Sequence, residues 1–358
     1  MPPFLQFVIR RFLIVPISLV IITMVLYGGV MLTPPDARAA LYFPPRMNPH
    51  MTEDQLRQFT DVIIERYHLR DPFLVQYGYW ARSLLSGQWG YSPTQKMEVL
   101  PALLSRTPAT LELTLYALLL FIPLGLVSGV VAGWKPYGWR DNLFRVMAFI
   151  GMAIPPFILA IIFLSTFYMG LEWFAPERVN YKFGYEITRD TYNSLTGFIT
   201  IDALLNGRPD IFVDGLRHLA MPVITLALYN WAVLGRVTRT TMMELRNKEY
   251  IISARARGFS ENRVMWRHGF RSVLAPSLTS IGLSAASILM GAFIVEIIYN
   301  FHGISEILAA SMRGGAPDAP AALGFSVYSV ILVLTLMFFV DVLQAILDPR
   351  IREEVLKT

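Results

Sequence analysis

The sequence predicts an all-α integral membrane protein with six transmembrane helices. Of its 358 residues, 54% are hydrophobic and 16% are charged, whereas soluble domains usually contain about a quarter charged residues. Uncharged apolar runs long enough to cross a bilayer core recur along the chain. The short segments between them alternate between strongly basic and weakly charged, which the positive-inside rule associates with opposite faces of a membrane.

The predicted spans follow one another in chain order. Arg10 and Arg11 precede the first span, which is too long for a signal peptide and has no small-residue cleavage site after it, so we expect it to be retained. Pro155-Pro156 interrupts the third span, where prolines should bend the helix. A static bend is the simpler interpretation and a gating hinge the alternative. The spans are predicted at 12–33, 113–132, 146–171, 219–235, 273–295 and 319–340.

The distribution of basic residues predicts that both termini lie in the cytoplasm. The large segment from Pro34 to Ala109 would then be extracytoplasmic; it also carries arginines, but it exceeds the roughly 60 residues within which the charge rule is reliable. In this segment Thr52 and Gln55 predict a capping box at a helix start, and Asp71-Pro72 predicts another helix start. The predicted regions are a first span with an extracytoplasmic helical segment at 1–107, a transmembrane domain at 108–347 and a cytoplasmic tail at 348–358.

A strongly basic segment, here named the basic loop (residues 244–276), lies between the fourth and fifth spans. Leu245 to Arg257 is predicted to be helical, and Gly258 should end that helix because glycine tolerates a left-handed conformation. Ser260 is positioned to cap a second helix, which Pro276 is expected to limit. Two short helices around a glycine elbow are typical of a docking surface for another protein. The alternative is a basic amphipathic loop lying on anionic lipid head groups.

The basic loop resembles the "EAA" coupling loop of ABC-importer permeases. The stretch YIISARARG, from Tyr250 to Gly258, followed by Arg267-His268, Arg271 and Pro276, is similar to the branch that handles dipeptides, oligopeptides and nickel. The leading Glu of the generic loop falls on Ile252, and its later Leu-Pro falls on Phe270-Arg271. Glu249 is therefore not equivalent to the generic Glu.

Two other stretches carry the resemblance. Leu347 to Arg352 is similar to the family's C-terminal signature, and Val295-Glu296 with Phe301 is similar to a stretch at its outer mouth. His302 stands where the family usually has Pro. Glu296 could line an outer gate; it could equally be an interfacial charge that closes the fifth span.

The resemblance implies a type I ABC-importer permease fold and a transport subunit that is not itself an enzyme. It would form half of a pathway for peptides or a related solute such as a nickel complex, a glutathione-like compound or an oligosaccharide. Its implied partners are a second similar permease, two ATPase subunits, an extracytoplasmic binding protein and the lipid bilayer. The segment at 172–217 would contact the binding protein or act as a spacer. Candidate coupling residues are Glu249, Tyr250, Ile251, Ala254, Ala256, Gly258, Phe259, Arg267 and His268, with Ile251, Ile252 and Phe259 as apolar anchors, and candidate pathway residues are Pro155, Pro156 and Glu296.

Several other functions lack the residues that they need. The chain has no cysteine and no GxxxxGK[ST] phosphate loop, and its five histidines are scattered, so no metal, cofactor or nucleotide site is expected. The basic charge borders apolar spans, which indicates topology rather than nucleic-acid binding. An ion-coupled secondary transporter remains the alternative, although no predicted span carries Asp or Glu near its middle. Backbone carbonyls could still hold an ion.

Overall fold

The computed structural model describes residues 3–44, 51–189, 192–313 and 318–347, and most of these residues are helical. The predicted tail at 348–358 lies outside these ranges. A 3-10 turn at Ala40–Tyr42 follows α2, and π-helical turns at Leu164–Gly170 and Val264–Gly269 follow α7 and α12. In chain order the elements are α1 (Pro3–Val30), α2 (Pro35–Ala39), α3 (Glu53–Arg66), α4 (Phe73–Leu85), β1 (Tyr91–Ser92), β2 (Met97–Glu98), α5 (Val99–Trp134), α6 (Trp139–Ala153), α7 (Pro156–Phe163), α8 (Tyr181–Ile187), α9 (Ile199–Leu205), α10 (Pro209–Leu245), α11 (Glu249–Ala256), α12 (Glu261–Arg263), α13 (Phe270–Tyr299), α14 (Ser305–Ser311) and α15 (Ala319–Leu347).

Within the described residues, five helical stretches are long and apolar enough to cross a membrane. The bent pair formed by α6 and α7 with its π turn makes a sixth if it is counted as one span. The five stretches are Phe4–Val30, Val99–Trp134, Pro209–Leu245, Glu261–Tyr299 and Ala319–Ile346. The expectation of an all-α membrane protein is therefore confirmed.

The bend between α6 and α7 measures 97° and lies at the predicted proline pair. Ile154, which precedes the first proline, is extended with φ −96° and ψ 114°. Pro155 is also extended, with ψ 142°. A proline clashes with a helical residue before it, so two in succession end α6 and let Pro156 start α7 at a new angle.

Three expected helix limits are wrong. Pro276 does not end a helix but lies inside α13, because membrane helices tolerate proline where neighbouring groups satisfy the freed backbone. Glu296 does not close the fifth span either, since α13 continues to Tyr299. The helix expected from Leu245 begins at Glu249, because α10 extends through Leu245 and Lys248 is extended.

The described residues divide into two compact units, the first of which comprises residues 3–7, 108–189, 192–302 and 339–347. Its main core is formed by apolar side chains of α5, α7, α10 and α13, among them the fully buried Phe121, Ala160 and Ile288. Gln344 of α15 donates to the carbonyl oxygen of Leu278 at 2.7 Å, which joins α15 to α13.

The second unit comprises residues 8–44, 51–107, 303–313 and 318–338. The capping box is confirmed: the amide of Gln55 donates to the Thr52 hydroxyl at 3.3 Å, and the amide of Thr52 donates to the Gln55 side chain at 3.1 Å. Tyr27 stacks on Trp80 with ring centroids 4.8 Å apart. The carboxylate of Asp318 accepts from the Ser92 hydroxyl at 2.5 Å, which fixes the β1–β2 hairpin.

Candidate functional site

The elbow predicted at Gly258 is present and has the geometry of a Schellman motif. Gly258 follows α11 with a φ of +78°. Its amide donates to the Arg255 carbonyl at 2.9 Å, and the amide of Phe259 donates to the Ala254 carbonyl at 3.4 Å. These are the two bonds that close a helix on a left-handed glycine. Ser260 occupies the N-cap position of α12, but its side chain makes no capping bond.

An apolar cluster beneath the elbow attaches the basic loop to the helices around it. Ile251 and Val264 are completely buried, and Ala254 and Met265 are nearly so. Ile251 was expected to be an apolar anchor for a partner protein. Its side chain is instead 0% exposed and packs inside this chain. The residues that surround these four are Val130 and Trp134 of α5, Met242 of α10 and Val273 of α13.

Other positions of the loop expose apolar side chains. Tyr250 is 43% exposed, Ile252 54% and Phe259 37%. The guanidinium of Arg263 lies over the Phe259 ring at 5.4 Å, and the His268 ring lies 5.9 Å from it. These three exposed apolar residues, Tyr250 and Ile252 on either side of the buried Ile251 in α11 and Phe259 after the elbow, are together named the apolar face below.

Three further predicted coupling residues are exposed to solvent. Glu249 and Ala256, at the two ends of α11, are exposed, as is Arg267 on the π turn. The predicted coupling residues therefore fall into two groups: Ile251 and Ala254 are buried against the rest of the chain, and the others named here are exposed.

An ion pair ties the two sides of the elbow together. Arg255 donates twice to Glu261, at 2.9 and 3.3 Å. Its guanidinium also lies 5.0 Å from the centroid of the Trp134 ring and donates to the Arg246 carbonyl at 3.3 Å. Arg255 thus links α11, α12 and the end of α5.

Sequence analysis missed a glycine stripe that packs α10 closely against α5. Gly125, Gly129 and Gly133 are spaced four residues apart, so they share one face of α5. A methyl group at Gly129 would lie 2.5 Å from the carbonyl oxygen of Gly235, and one at Gly133 would collide with the backbone of Arg239. The repeated small-xxx-small pattern is a signal that could have revealed this contact.

A buried ion pair continues this contact at the same end of α10. Arg239 forms a bidentate ion pair with Asp141 of α6, and one of the two hydrogen bonds measures 2.8 Å. The Asp141 side chain is completely buried. The amide of Tyr137 donates to the same carboxylate at 2.8 Å. The helix that leads into the basic loop is therefore tied to both α5 and α6.

The candidate pathway residues lie apart from the basic loop in sequence. Pro155 and Pro156 form the 97° bend described above. Glu296 is 2% exposed on the last turn of α13.

Sequence analysis also missed the role of Glu112, which is 1% exposed on α5. Its carboxylate accepts from Arg178 at 2.6 Å and from the amide and hydroxyl of Thr200 at 2.9 and 2.7 Å. Because Arg178 is 66 residues away in sequence, no local pattern could pair the two.

A second carboxylate organises the segment from 172 to 208, named the 172–208 segment below. Asp202 is almost fully buried and accepts from the amides of Thr196 and Gly197, each at 2.9 Å. Arg208 donates to Asp210 and Glu186, and these bonds raise the pKa of its guanidinium.

The family that this chain matches and three of its relatives are all named for transport systems. Residues 100–353 match the family model described as "Binding-protein-dependent transport system inner membrane component". The di/tripeptide transport system permease protein DppB of Pseudomonas aeruginosa is 32% identical over 353 residues, covering 98% of this chain and 99% of the relative. The oligopeptide transport system permease protein AppB of Bacillus subtilis is 33% identical over 306 residues, covering 85% and 87%. The dipeptide transport system permease protein DppB of Alkalihalophilus pseudofirmus is 32% identical over 289 residues, covering 80% and 84%.

Proposed function

This chain belongs to the family of binding-protein-dependent transport system inner membrane components, and on that basis we propose that it forms half of the pathway of an ATP-driven peptide importer and is driven through its basic loop. It is a multi-pass inner membrane protein and a transport subunit rather than an enzyme. Family membership favours the importer over an ion-coupled carrier. The names of the relatives, all peptide-transport permeases, support peptides as the substrate class over nickel complexes, glutathione-like compounds or oligosaccharides.

The proposed topology has six spans, with both termini and the basic loop in the cytoplasm. Counting α6 and α7 as one bent span gives this number. The basic loop and the α5–α6 connection hold clustered basic residues and follow an even number of spans from an internal N-terminus. Both features agree with the positive-inside rule. The 172–208 segment would then lie outside.

The proposed partners are two ATPases in the cytoplasm, a second similar permease beside this one and a binding protein outside. Each ATPase would receive one basic loop in a surface groove. The apolar face supplies the burial that a stable contact needs, and the surrounding arginines orient it. Ile251 and Ala254 are assigned a different role, because they hold α11 to the permease itself.

The proposed mechanism transmits ATPase movement as a displacement of packed helices. When ATP draws the two ATPases together, α11 and α12 would move with them. The apolar cluster connects this movement to α5, α10 and α13. The glycine stripe and the Arg239–Asp141 pair join α10 to its neighbours, so these helices would move together between discrete packings.

The observation that carries the proposal is the division of the basic loop into a buried face and an exposed apolar face. The test introduces a charge on the exposed face with Ile252→Glu in the assembled complex. A matched control, Leu204→Glu, places the same charge on a residue of α9 that is similarly exposed, at 57%.

We expect Ile252→Glu to reduce ATPase co-purification and substrate uptake at least tenfold, since a carboxylate in an apolar groove must be desolvated. The permease should still be present in the membrane in normal amount. Leu204→Glu should leave ATPase binding unchanged. Normal uptake by Ile252→Glu, or equal loss in both variants, would refute this role of the apolar face.

A further inference from the structure

A groove beside the basic loop is not used by the coupling mechanism. It has a volume of about 430 Å³ and lies between the last turn of α5, the first turn of α6 and the start of α12 with its π turn. Its lining divides into two kinds of side chain. The apolar side chains, buried or half-buried, are Val131, Trp134 and Met265, and the exposed polar ones are Lys135, Arg140 and Asn262.

The groove carries uncompensated positive charge. In the part of the chain that the structure describes, neither Lys135 nor Arg140 contacts a carboxylate. Arg239 is different, because Asp141 neutralises it. The one carboxylate in the lining, that of Glu261, is already bonded to Arg255 at 2.9 Å. An anionic group entering the groove would therefore meet two free cations.

The connection that forms one wall has the composition of a membrane–water interface. It follows α5 directly and contains Tyr137, which is 76% exposed, and it leads into Trp139, the first residue of α6, which is 71% exposed. The guanidinium of Arg140 lies over the Trp139 ring at 5.5 Å. Exposed Trp and Tyr beside Lys and Arg at the end of a span are typical of the head-group region.

We propose that this groove binds the phosphate head group of an anionic phospholipid. A basic crevice between the inner ends of membrane helices is suited to such a head group. Arg140 can bond two phosphate oxygens while Lys135 supplies a compact charge. The apolar lining accommodates the glycerol and the upper acyl chains, which a soluble phosphate would leave unfilled. The inference rests on the cytoplasmic placement of the basic loop proposed above.

The position of the groove gives the lipid a functional consequence. Glu261 and Asn262 belong to the basic loop, whereas Lys135 follows α5 and Arg140 lies in the first turn of α6. A lipid bound between them contacts both the moving loop and the end of a span. Anionic lipid would therefore change the efficiency with which ATP hydrolysis is coupled to uptake.

The test uses the purified full chain in nanodiscs that contain equal amounts of phosphatidylglycerol and phosphatidylcholine. Lipids that remain bound after gentle release are counted by native mass spectrometry. The groove variant is Lys135→Ala/Arg140→Ala. The control, Lys182→Ala/Arg189→Ala, removes the same charge from the 172–208 segment.

We expect the preference for phosphatidylglycerol to fall about tenfold in the groove variant and to stay unchanged in the control. The variant Lys135→Arg/Arg140→Lys keeps the charge and should keep the preference, even where the alanine variant is unstable. Brominated phosphatidylglycerol should quench tryptophan fluorescence more than brominated phosphatidylcholine does, and Trp139→Phe should remove much of that difference.

Three results would overturn the proposal. One is an unchanged preference in the groove variant. Another is displacement of the lipid by millimolar glycerol 3-phosphate, which would indicate a soluble phosphate site. The third is disappearance of the wild-type preference when ATPases are bound, which would assign the groove to a protein partner. Lipid counting uses the permease alone and requires no ATPase. Failure of the lipid-site proposal is therefore distinguishable from failure of the coupling role, which is tested with Ile252→Glu.

Discussion

The basic loop and the 172–208 segment each contain a short helix that ends on a left-handed glycine. Gly258 ends α11 with φ +78°, and Gly207 ends α9 with φ +64°. In both, the amide after the glycine donates to a carbonyl five residues earlier, at 3.4 and 2.8 Å respectively. Neither glycine has another group within 4 Å of the position that a Cβ would occupy. The same helix-ending motif therefore occurs in both regions.

The two regions differ in how they are attached. The basic loop rests on an apolar cluster that includes Ile251 and Val264. The 172–208 segment is instead bonded to the buried carboxylate of Glu112 on α5, and the buried carboxylate of Asp202 holds it together internally. Apolar contacts are non-directional, whereas bonds to a buried carboxylate fix a geometry and are costly to break. The difference teaches that, under the proposed mechanism, the first attachment suits a part that moves and the second a part that stays in place.

The largest expected effect comes from breaking the polar attachment. Glu112→Ala would leave Arg178, whose side chain is 20% exposed, without its carboxylate. We expect a loss of about 3 kcal/mol in the free energy of unfolding, because an unpaired charge remains largely buried. Thermal unfolding of the purified chain and limited proteolysis of the 172–208 segment would measure it.

The double variant Glu112→Ala/Arg178→Met serves as the control for that experiment. It removes both charges and should recover much of the loss. A single variant as stable as wild type would contradict the role assigned to this pair.

A somewhat smaller effect is expected from the glycine stripe that joins α10 to α5. Gly129→Ala places a methyl group 2.5 Å from the Gly235 carbonyl oxygen, so the helices must separate. Such overpacking costs about 1–3 kcal/mol. Fluorescence-detected size-exclusion chromatography after heating would detect the loss. Gly78→Ala, on a helix where nothing lies within 4 Å, should be neutral or slightly stabilising; equal behaviour of the two variants would argue against close packing.

The sharpest comparison pairs the two glycine turns. Gly258→Ala and Gly207→Ala should each cost about 1–2 kcal/mol, since both force a side chain into the left-handed region without a clash. Stability should therefore fall equally, as measured by thermal unfolding. Only Gly258→Ala should raise the ratio of ATP hydrolysed to substrate imported. If Gly207→Ala uncoupled the complex to the same extent, the distinction between moving and fixed regions would be lost.

The smallest effect is expected from the exposed ion pair across the elbow. Glu261→Gln removes the carboxylate that Arg255 contacts at 2.9 Å, but the Glu261 side chain is 56% exposed. Such pairs contribute up to about 1 kcal/mol, and salt screens them. We expect a stability difference below that value at low salt, which should vanish in thermal unfolding at high salt. A large loss that persists at high salt would instead indicate a structural requirement for the pair.

The features predicted from sequence are those encoded by neighbouring residues. The elbow at Gly258 and the capping box at Thr52 need only a few adjacent positions, and the spans need only an apolar run. The predicted span at 113–132 is shorter than α5, which begins at Val99. The stretch from Val99 to Glu112 contains polar residues, which a helix tolerates where it extends beyond the membrane core. Pro276 was misinterpreted because a breaker signal from soluble proteins is weaker in a membrane helix.

The features missed are those that depend on distant partners or on helix rotation. Nothing in the sequence around Ile251 shows that it faces inward while Ile252 faces outward, because both are apolar and adjacent. Glu112 finds Arg178 only through the fold. The stripe at Gly125, Gly129 and Gly133 is the exception, because its spacing was readable.

The most direct test of the central claim is site-specific cross-linking, for which the natural chain provides a clean background because it contains no cysteine. Ile252→Cys labels the apolar face of the basic loop, and Leu204→Cys labels a similarly exposed position of the 172–208 segment. A maleimide–benzophenone reagent attached to each cysteine and activated by light in the assembled complex should join Ile252→Cys to an ATPase subunit and leave Leu204→Cys free of it. An intact complex with no ATPase adduct at Ile252→Cys would contradict the account.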